Sequence, residues 1–372
     1  MSGNCGGGSG EPLSLFSGCH GINVGGWLQL GYHDQNLPLF NSRKHEVQLQ
    51  QAWLYAEKEI DTEYGIDIGG RVDYLYGTDA QDTQAFGIAN SHWDNQWDSG
   101  GDYGQAIPQA FLELGYGSLS IKAGRFFTII GHEVVSAPDN FFYSHAYTFN
   151  NSEPFTHTGA IITYDAGEFV DIYGGYVLGW DSAFEDNGDA VIGGTTVNLS
   201  DAITFTWTGV GGRFADNSGG DERGFMYSAV TSFQLSDQIQ YILQHDWLDT
   251  EDVNGATVRD TVGLNNYLLL EISDCLSVGA RFEWWNVSAD SQGFYGDNAV
   301  PGFASTVAGD YNIYAFTFGA NFKPHPNIIV RPEIRRDWVR GNLNNLASSD
   351  IEFLEGNSDE QSTFGIDTIF LF

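Results

Sequence analysis

Basic residues are scarce in this chain: 15 Lys and Arg stand against 49 Asp and Glu in 372 residues, a formal charge of −34. That balance excludes a nucleic-acid partner, which needs clustered Lys and Arg to displace counterions from phosphates. Long apolar runs are missing too, and no window approaches the roughly 18 apolar residues of a membrane-spanning helix. The first ten residues, Met1 to Gly10, have neither the basic nor the apolar region of a secretory signal. Met (2) and Pro (9) are rare, and no Ala/Leu/Glu/Lys-rich segment carries a helical repeat. The three cysteines, Cys5, Cys19 and Cys275, make no CxxC pair, so zinc-ribbon and thioredoxin-type sites are excluded. Cys5 and Cys19 flank a Gly/Ser-rich leader; either they pair in an oxidising compartment or they stay as thiols.

Aromatic residues, at 15 %, are too many for an acidic disordered chain. They fall in a period of two. From Tyr64 to Tyr76, the residues Tyr64, Ile66, Ile68, Val72, Tyr74 and Tyr76 share one face, and Asp67, Arg71 and Asp73 share the other. Successive strand side chains point to opposite faces, so this is a ribbon with one apolar and one charged side. Similar alternation recurs over 22–33, 225–235, 239–247, 314–322 and 364–372. A transmembrane β-barrel needs no long apolar run, only strands of about ten residues alternating apolar-out and polar-in.

Short turns at 61–63, 117–118, 165–168, 200–201, 236–237, 273–275 and 323–327 alternate with long polar segments at 34–46, 77–105, 128–157, 181–190, 211–224, 249–260, 286–309 and 340–360. An up-and-down barrel with short turns on one side of a membrane and long loops on the other gives this asymmetry. Counting the ribbons predicts about sixteen strands, in an all-β, antiparallel transmembrane barrel over 21–372 preceded by a leader over 1–20. A soluble β-sandwich also alternates, but strands of 5–6 residues suffice for it, whereas several ribbons here reach ten. Aromatics such as Tyr32, Tyr116, Trp180, Trp247 and Trp338 collect at ribbon ends, where interfacial girdles belong.

The segments IPQAFLELGY, LSIKAGRFFTIIGHEV and DNFFYSHAYTFNNSEPFTHTGA carry Gln109, Ala110, Gly124-Arg125-Phe126, Gly131, Glu133, Asn140, Ser144 and Pro154-Phe155-Thr156-His157-Thr158-Gly159. In these residues the chain resembles the outer-membrane β-barrel porin-2 (OmpL-like) family. The resemblance implies an outer-membrane, multi-pass barrel with no catalytic signature. The expected function is passive diffusion of small hydrophilic solutes or ions, with a barrel plugged as an adhesin or structural surface protein as the alternative. The lipid bilayer is the expected surrounding, and a homotrimer of the kind similar porins form is the expected assembly.

If apolar faces meet lipid, the lumen receives Lys58, Arg71, Lys122, Arg281, Arg331 and Arg335, with Arg125 near a strand end. Two readings stand: a basic wall that sets a transverse field across a pore, or charges that neutralise Glu333, Asp337 and other neighbours in a wet interior. The segment 128–157 is rich in aromatics (Phe141, Phe142, Tyr143, Tyr147, Phe149), which need cover from water. It is the third long loop, and is expected to fold into the lumen as in the sixteen-stranded porins this pattern looks like. There Glu133, Asp139 and Glu153 form the acidic side of a constriction facing Arg71, Lys122, Arg125, Arg281, Arg331 and Arg335. The rival placement packs the loop on the barrel rim or on a neighbouring subunit. Arg259 is expected on an outer loop. His132, His145 and His157 lack metal-pair spacing, and no nucleophile–base pair can be picked, so no enzyme is expected. Acidic segments 249–254 and 216–222 offer oxygens to Ca²⁺ but lack EF-hand spacing; a solvated surface is preferred, and no cofactor is expected.

Overall fold

A computed structural model describes residues 21–37, 39–85, 92–184, 188–217, 220–288, 311–341 and 360–372. Seventeen strand segments form one antiparallel sheet. They run β1 (Asn23–His33), β2 (Gln48–Lys58), β3 (Ile66–Gly77), β4 (Gly104–Ala106), β5 (Ala110–Tyr116), β6 (Leu119–Phe127), β7 (Thr156–Asp165), β8 (Val170–Val177) and β9 (Asp189–Ser200). The second half holds β10 (Ile203–Asn217), β11 (Gly220–Ser236), β12 (Ile239–Glu251), β13 (Thr257–Ser273), β14 (Leu276–Val287), β15 (Tyr311–His325), β16 (Ile328–Gly341) and β17 (Glu360–Leu371). The first strand pairs with both β2 and β17, so the sheet closes on itself. Both β4 and β5 pair with β3, where they act as one stave interrupted at 107–109, next to Pro108. Proline cannot donate to a ladder, and the break falls where it sits. The result is a closed antiparallel barrel of sixteen staves.

Alternation places the apolar side chains in two populations. Ile66, Leu112, Val191 and Phe318 are exposed on the outer face, whereas Trp53, Leu75, Ile192 and Ile313 are buried inside. An exposed apolar band around a closed barrel is what a lipid-facing surface requires and what a soluble protein avoids. Where the wall coils sharply, side chains have no room. Gly124 in β6 has φ +136°, and a Cβ there would collide with the Ala110 carbonyl oxygen of β5; glycine meets both demands.

Segments 211–224 and 249–260, expected as loops, are largely strand. The strands β11 and β13 each run 17 residues, about 56 Å at 3.3 Å per residue, more than a tilted crossing needs. Their upper ends therefore stand above the apolar band, where ladder hydrogen bonds continue without apolar side chains. Polar composition marked these segments as loop, but strand pairing needs no greasy face outside lipid. Cys275, in the β13–β14 turn, is disulfide-bonded; Cys5 and Cys19 lie outside the described residues, as does the leader 1–20.

Candidate functional site

Residues 128–155, connecting β6 to β7 and here termed loop 3, lie inside the barrel. Their aromatic side chains fix them there. Phe142, Tyr143, Tyr147 and Phe149 are all buried. Phe149 stacks on Phe155 and on His145, with ring centroids 4.7 and 4.3 Å apart, and Tyr147 stacks on Trp285 of β14. Only two short helical turns, Ala137–Asp139 and Tyr147–Ser152, are regular. Most of the loop's buried backbone groups therefore need partners from elsewhere.

The wall supplies those partners through charged side chains on β14 and β16. Arg331 donates to the carbonyls of Ala137 (2.8 Å), Asn140 (2.7 Å) and Phe142 (3.2 Å). Arg281 donates to the Ser144 carbonyl (2.7 Å) and Arg335 to that of His145 (2.9 Å). In the other sense, Glu333 accepts from the Tyr143 and Ser144 amides (2.9 and 3.2 Å), and Glu283 accepts from the Tyr147 amide (2.9 Å). These residues are two apart along each strand, so they share the inward face. They also neutralise one another (Arg281–Glu283 2.7 Å, Arg335–Glu283 3.1 Å, Arg335–Asp337 2.8 Å), and Arg331 pairs with Asp367 of β17 at 2.5 Å.

Of the three nominated acids, Glu133 reaches this ladder. It lies 2.7 Å from Arg281 and accepts from the Ala146 amide and the Tyr267 hydroxyl. Burial alone would raise its carboxyl, but Arg281 and the adjoining His145 hold it well below the usual carboxylate range. Asp139 is exposed to water and accepts from the Ser136 hydroxyl. Glu153 is buried, and the Gln244 amide bonds both it (2.7 Å) and Asp246 of β12 (2.6 Å). Burial, then the nearby Asp246 and Glu133 charges, push its carboxyl well above the usual range.

The nominated basic residues divide into two groups. Arg281, Arg331 and Arg335 face inward, as their parity requires, but not water: each is at most 2 % exposed, beneath loop 3. Their alternation shows which face they occupy and cannot show that a loop covers it. Arg125 is fully buried, with its guanidinium on Asp94 (3.1 Å) and on the Thr83 carbonyl (3.0 Å) of the β3–β4 connection. It ties a loop to the wall. Arg71 and Lys122 do meet water, on the turn-side half of the lumen. Arg71 pairs with Glu57 (3.2 Å) and Asp73 (2.6 Å) and lies over the Tyr55 ring; Lys122 lies over Phe111. Lys58 sits at the end of β2, paired with Asp67 beside the turn (2.8 Å). Arg259 corrects the outer-loop expectation. It is a buried inward residue of β13, bonded to Glu222 (2.7 Å) and stacked on Trp180.

Glu283, Asp367 and Asp246 are structural partners that sequence reasoning missed. A period-two signal existed for Glu283, which stands two residues from Arg281; none existed for Asp246. The three histidines are separately engaged: His132 lies edge-on to Tyr267, His145 on Glu133, and His157 on the Gly179 carbonyl. Among the described residues no group of three His, Cys, Asp or Glu could hold a metal. Asp252, in one of the acidic segments, accepts from the Asn254 and Ala256 amides of its own turn.

A sixteen-stave barrel with an apolar outer band, a charged interior and an inward loop defines the class of outer-membrane porin-like barrels. The chain belongs to the family described as "Putative beta-barrel porin-2, OmpL-like", which matches residues 21–372, and it is an outer-membrane protein. No curated protein matches it. Among solved structures it is similar to the anion-selective porin from Comamonas acidovorans (TM-score 0.62, 10 % identity, 94 % of this chain and 99 % of that one). It is also similar to the outer membrane channel DcaP of Acinetobacter baumannii (0.59, 12 %, 97 % and 100 %). A third is the trimer form of OmpT, an outer membrane protein of Vibrio cholerae (0.59, 11 %, 94 % and 99 %).

Proposed function

We propose that the chain is a passive diffusion channel for small hydrophilic solutes or ions, narrowed by loop 3 and preferring cations. One observation carries this reading: the β14 and β16 charges clamp loop 3, and Gln51 of β2 (2.8 Å to the Val135 carbonyl) and Gln244 of β12 (2.7 Å to Glu153) also hold it, while charged and polar groups that meet water line the turn-side half of the lumen on β2–β10. On that side stand Glu57, Arg71, Glu113 and Lys122, and a hydroxyl chain from Tyr173 to Thr196 (3.1 Å) and Thr206 (3.0 Å). Asp139 is the loop acid that faces the passage. The nominated constriction shrinks accordingly to Asp139, Arg71 and Lys122, with Glu133, Arg281, Arg331 and Arg335 acting as the clamp. A homotrimer is the assembly we propose, in line with the trimer form of the similar OmpT structure.

Cation preference follows from the −34 charge, which concentrates cations at the mouth over a Debye length of about 10 Å at 0.1 M salt. A reversal potential in a KCl gradient tests it. Cation preference at low salt that weakens at high salt, and weakens further in Asp139→Asn, is expected; anion preference would contradict the reading. A second reading, a closed barrel serving as a surface protein, draws on how completely loop 3 is buried on its clamped side.

A further inference from the structure

Beside the clamp, on β11–β13, the wall under loop 3 holds its acid without a guanidinium. Gln244 and Asp246 stand two apart on β12, so both face inward, and both are buried. Ser228 of β11 lies directly opposite Asp246, and Asn265 of β13 directly opposite Gln244. Loop 3 roofs this patch. Its Thr148 hydroxyl oxygen accepts from the Asn265 amide at 2.6 Å. Its Glu153 shares the Gln244 amide with Asp246, at 2.7 and 2.6 Å. Gly131, also in the loop, has φ +91°, and a Cβ there would fall 1.8 Å from Glu153 Oε2. A glycine leaves that oxygen its space.

Donors and positive charge both run short here. Glu153 Oε2, Asp246 Oδ1, Gln244 Oε1, Asn265 Oδ1 and Ser228 Oγ are buried without a hydrogen-bond partner. Ser228 is fully buried, and the other four residues are each 1 % exposed. In the neighbouring clamp, Glu133, Glu283, Asp337 and Asp367 each meet an arginine. Glu153 and Asp246 form no ion pair among the described residues; what joins them is the neutral Gln244 amide. Two buried carboxylates so placed repel, and burial without a counter-charge is strongly destabilising.

We propose that these oxygens bind a divalent cation of the calcium type, which joins loop 3 to β11–β13. Calcium takes roughly six to eight oxygens, from carboxylates, Asn and Gln carbonyls and water. Glu153 and Asp246 supply the two negative charges that balance it. Gln244 and Asn265 supply carbonyls, and the Ser228 hydroxyl adds a neutral oxygen. Two acids with three neutral oxygens, and no nitrogen or sulfur, make a set that suits calcium and not zinc. Magnesium fits less well, because it demands octahedral geometry and gives up its waters reluctantly. The rival counter-charge is one proton shared by the two carboxylates, and calcium displaces it on binding. The loop supplies one ligand residue and the wall four, so cation binding and loop docking reinforce each other. The proposal goes beyond the channel reading, since a closed barrel would carry the same site.

The test is calorimetric titration of the detergent-purified full chain, stripped with a chelator in mildly alkaline buffer, with Ca²⁺ and Mg²⁺ as probes. One saturable Ca²⁺ per chain is expected, held roughly tenfold or more tighter than Mg²⁺. The double variant Glu153→Gln/Asp246→Asn removes both charges and should abolish that site. Ser228→Ala keeps both charges and should weaken it, whereas Asp252→Asn, on an acidic turn of its own, should leave it unchanged. Limited proteolysis adds a reading of the loop: Ca²⁺ should slow cutting within 128–155 in the wild type and have no effect in the double variant, whose loop needs no cation. No saturable Ca²⁺ in the wild type, equal affinity in the double variant, or cutting indifferent to Ca²⁺ would each overturn the proposal and leave the shared proton. Mg²⁺ binding as tightly as Ca²⁺ would overturn the calcium assignment.

Discussion

Replacing Arg281 with Met tests the clamp that holds loop 3. The guanidinium is fully buried and makes five contacts: Glu133 and Glu283 at 2.7 Å, the Ser144 carbonyl at 2.7 Å, the Ser144 hydroxyl at 3.1 Å and the Thr317 hydroxyl at 3.4 Å. Met keeps much of the volume and removes the charge. Glu283 keeps Arg335 at 3.1 Å and the Tyr147 amide, but Glu133 loses its guanidinium partner and keeps only neutral donors and His145. Leaving one member of a buried ion pair unpartnered costs about 3–5 kcal/mol. At about 1.4 kcal/mol per tenfold, that shifts the balance between docked and released loop by roughly two to three and a half orders of magnitude. The cost falls on the loop, because Glu133 belongs to the loop while the barrel's strand ladders are untouched. Single-channel recording should show larger or noisier openings, and limited proteolysis should cut within 128–155 in a barrel that still resists heat and detergent. Adding Glu133→Gln removes the stranded charge and should restore part of the docking. A folded Arg281→Met barrel with unchanged conductance and an uncut loop would refute the clamp.

Other outcomes follow from neighbouring groups. Glu153, whose carboxyl is raised by burial and then by Asp246 and Glu133, binds its proton more tightly in the docked loop than in a released one. Docking should therefore weaken as pH rises above the free carboxylate range; conductance against pH should show this in the wild type and not in Glu153→Gln. Glu133 has the opposite sign: its depressed carboxyl stabilises docking above the free value near 4.5 and loses that contribution only in stronger acid, so wild-type docking should also weaken at very low pH. Arg125→Met should lower thermal stability, by about 3–5 kcal/mol if Asp94 is left buried and unpaired, while leaving the reversal potential unchanged. Lys122→Glu should do the reverse, moving selectivity towards cations with little loss of heat resistance; equal effects of the two on the potential would contradict their placement.

The barrel itself was legible because period-two alternation states which face a residue occupies. Ile66, Ile68 and Val72 read as lipid-facing and Arg71 and Asp73 as inward, and the structure has them so. The aromatics of loop 3 were equally plain, since Phe142, Tyr147 and Phe149 could not stand in water. What alternation cannot say is what stands in front of a face. Arg281, Arg331 and Arg335 read as a wall open to the lumen, yet loop 3 covers them and takes their hydrogen bonds. The same blindness hid Asp246, a wall acid far in sequence from Glu153. Polar composition misled over 211–224 and 249–260, and with them Arg259, because strands that rise above the lipid need no apolar face. The stave broken at Pro108 reads as loop followed by strand for a related reason: a three-residue segment such as Gly104–Ala106 is too short to show a period.

Reconstitution of the purified, heat-resistant barrel into a planar bilayer tests the central claim most directly. Passive diffusion past a clamped loop predicts discrete, ohmic conductance steps that grow in a variant lacking the loop tip Asp139–Phe149. A folded barrel that stays silent, with and without that tip, would contradict the channel and leave the closed surface barrel in its place.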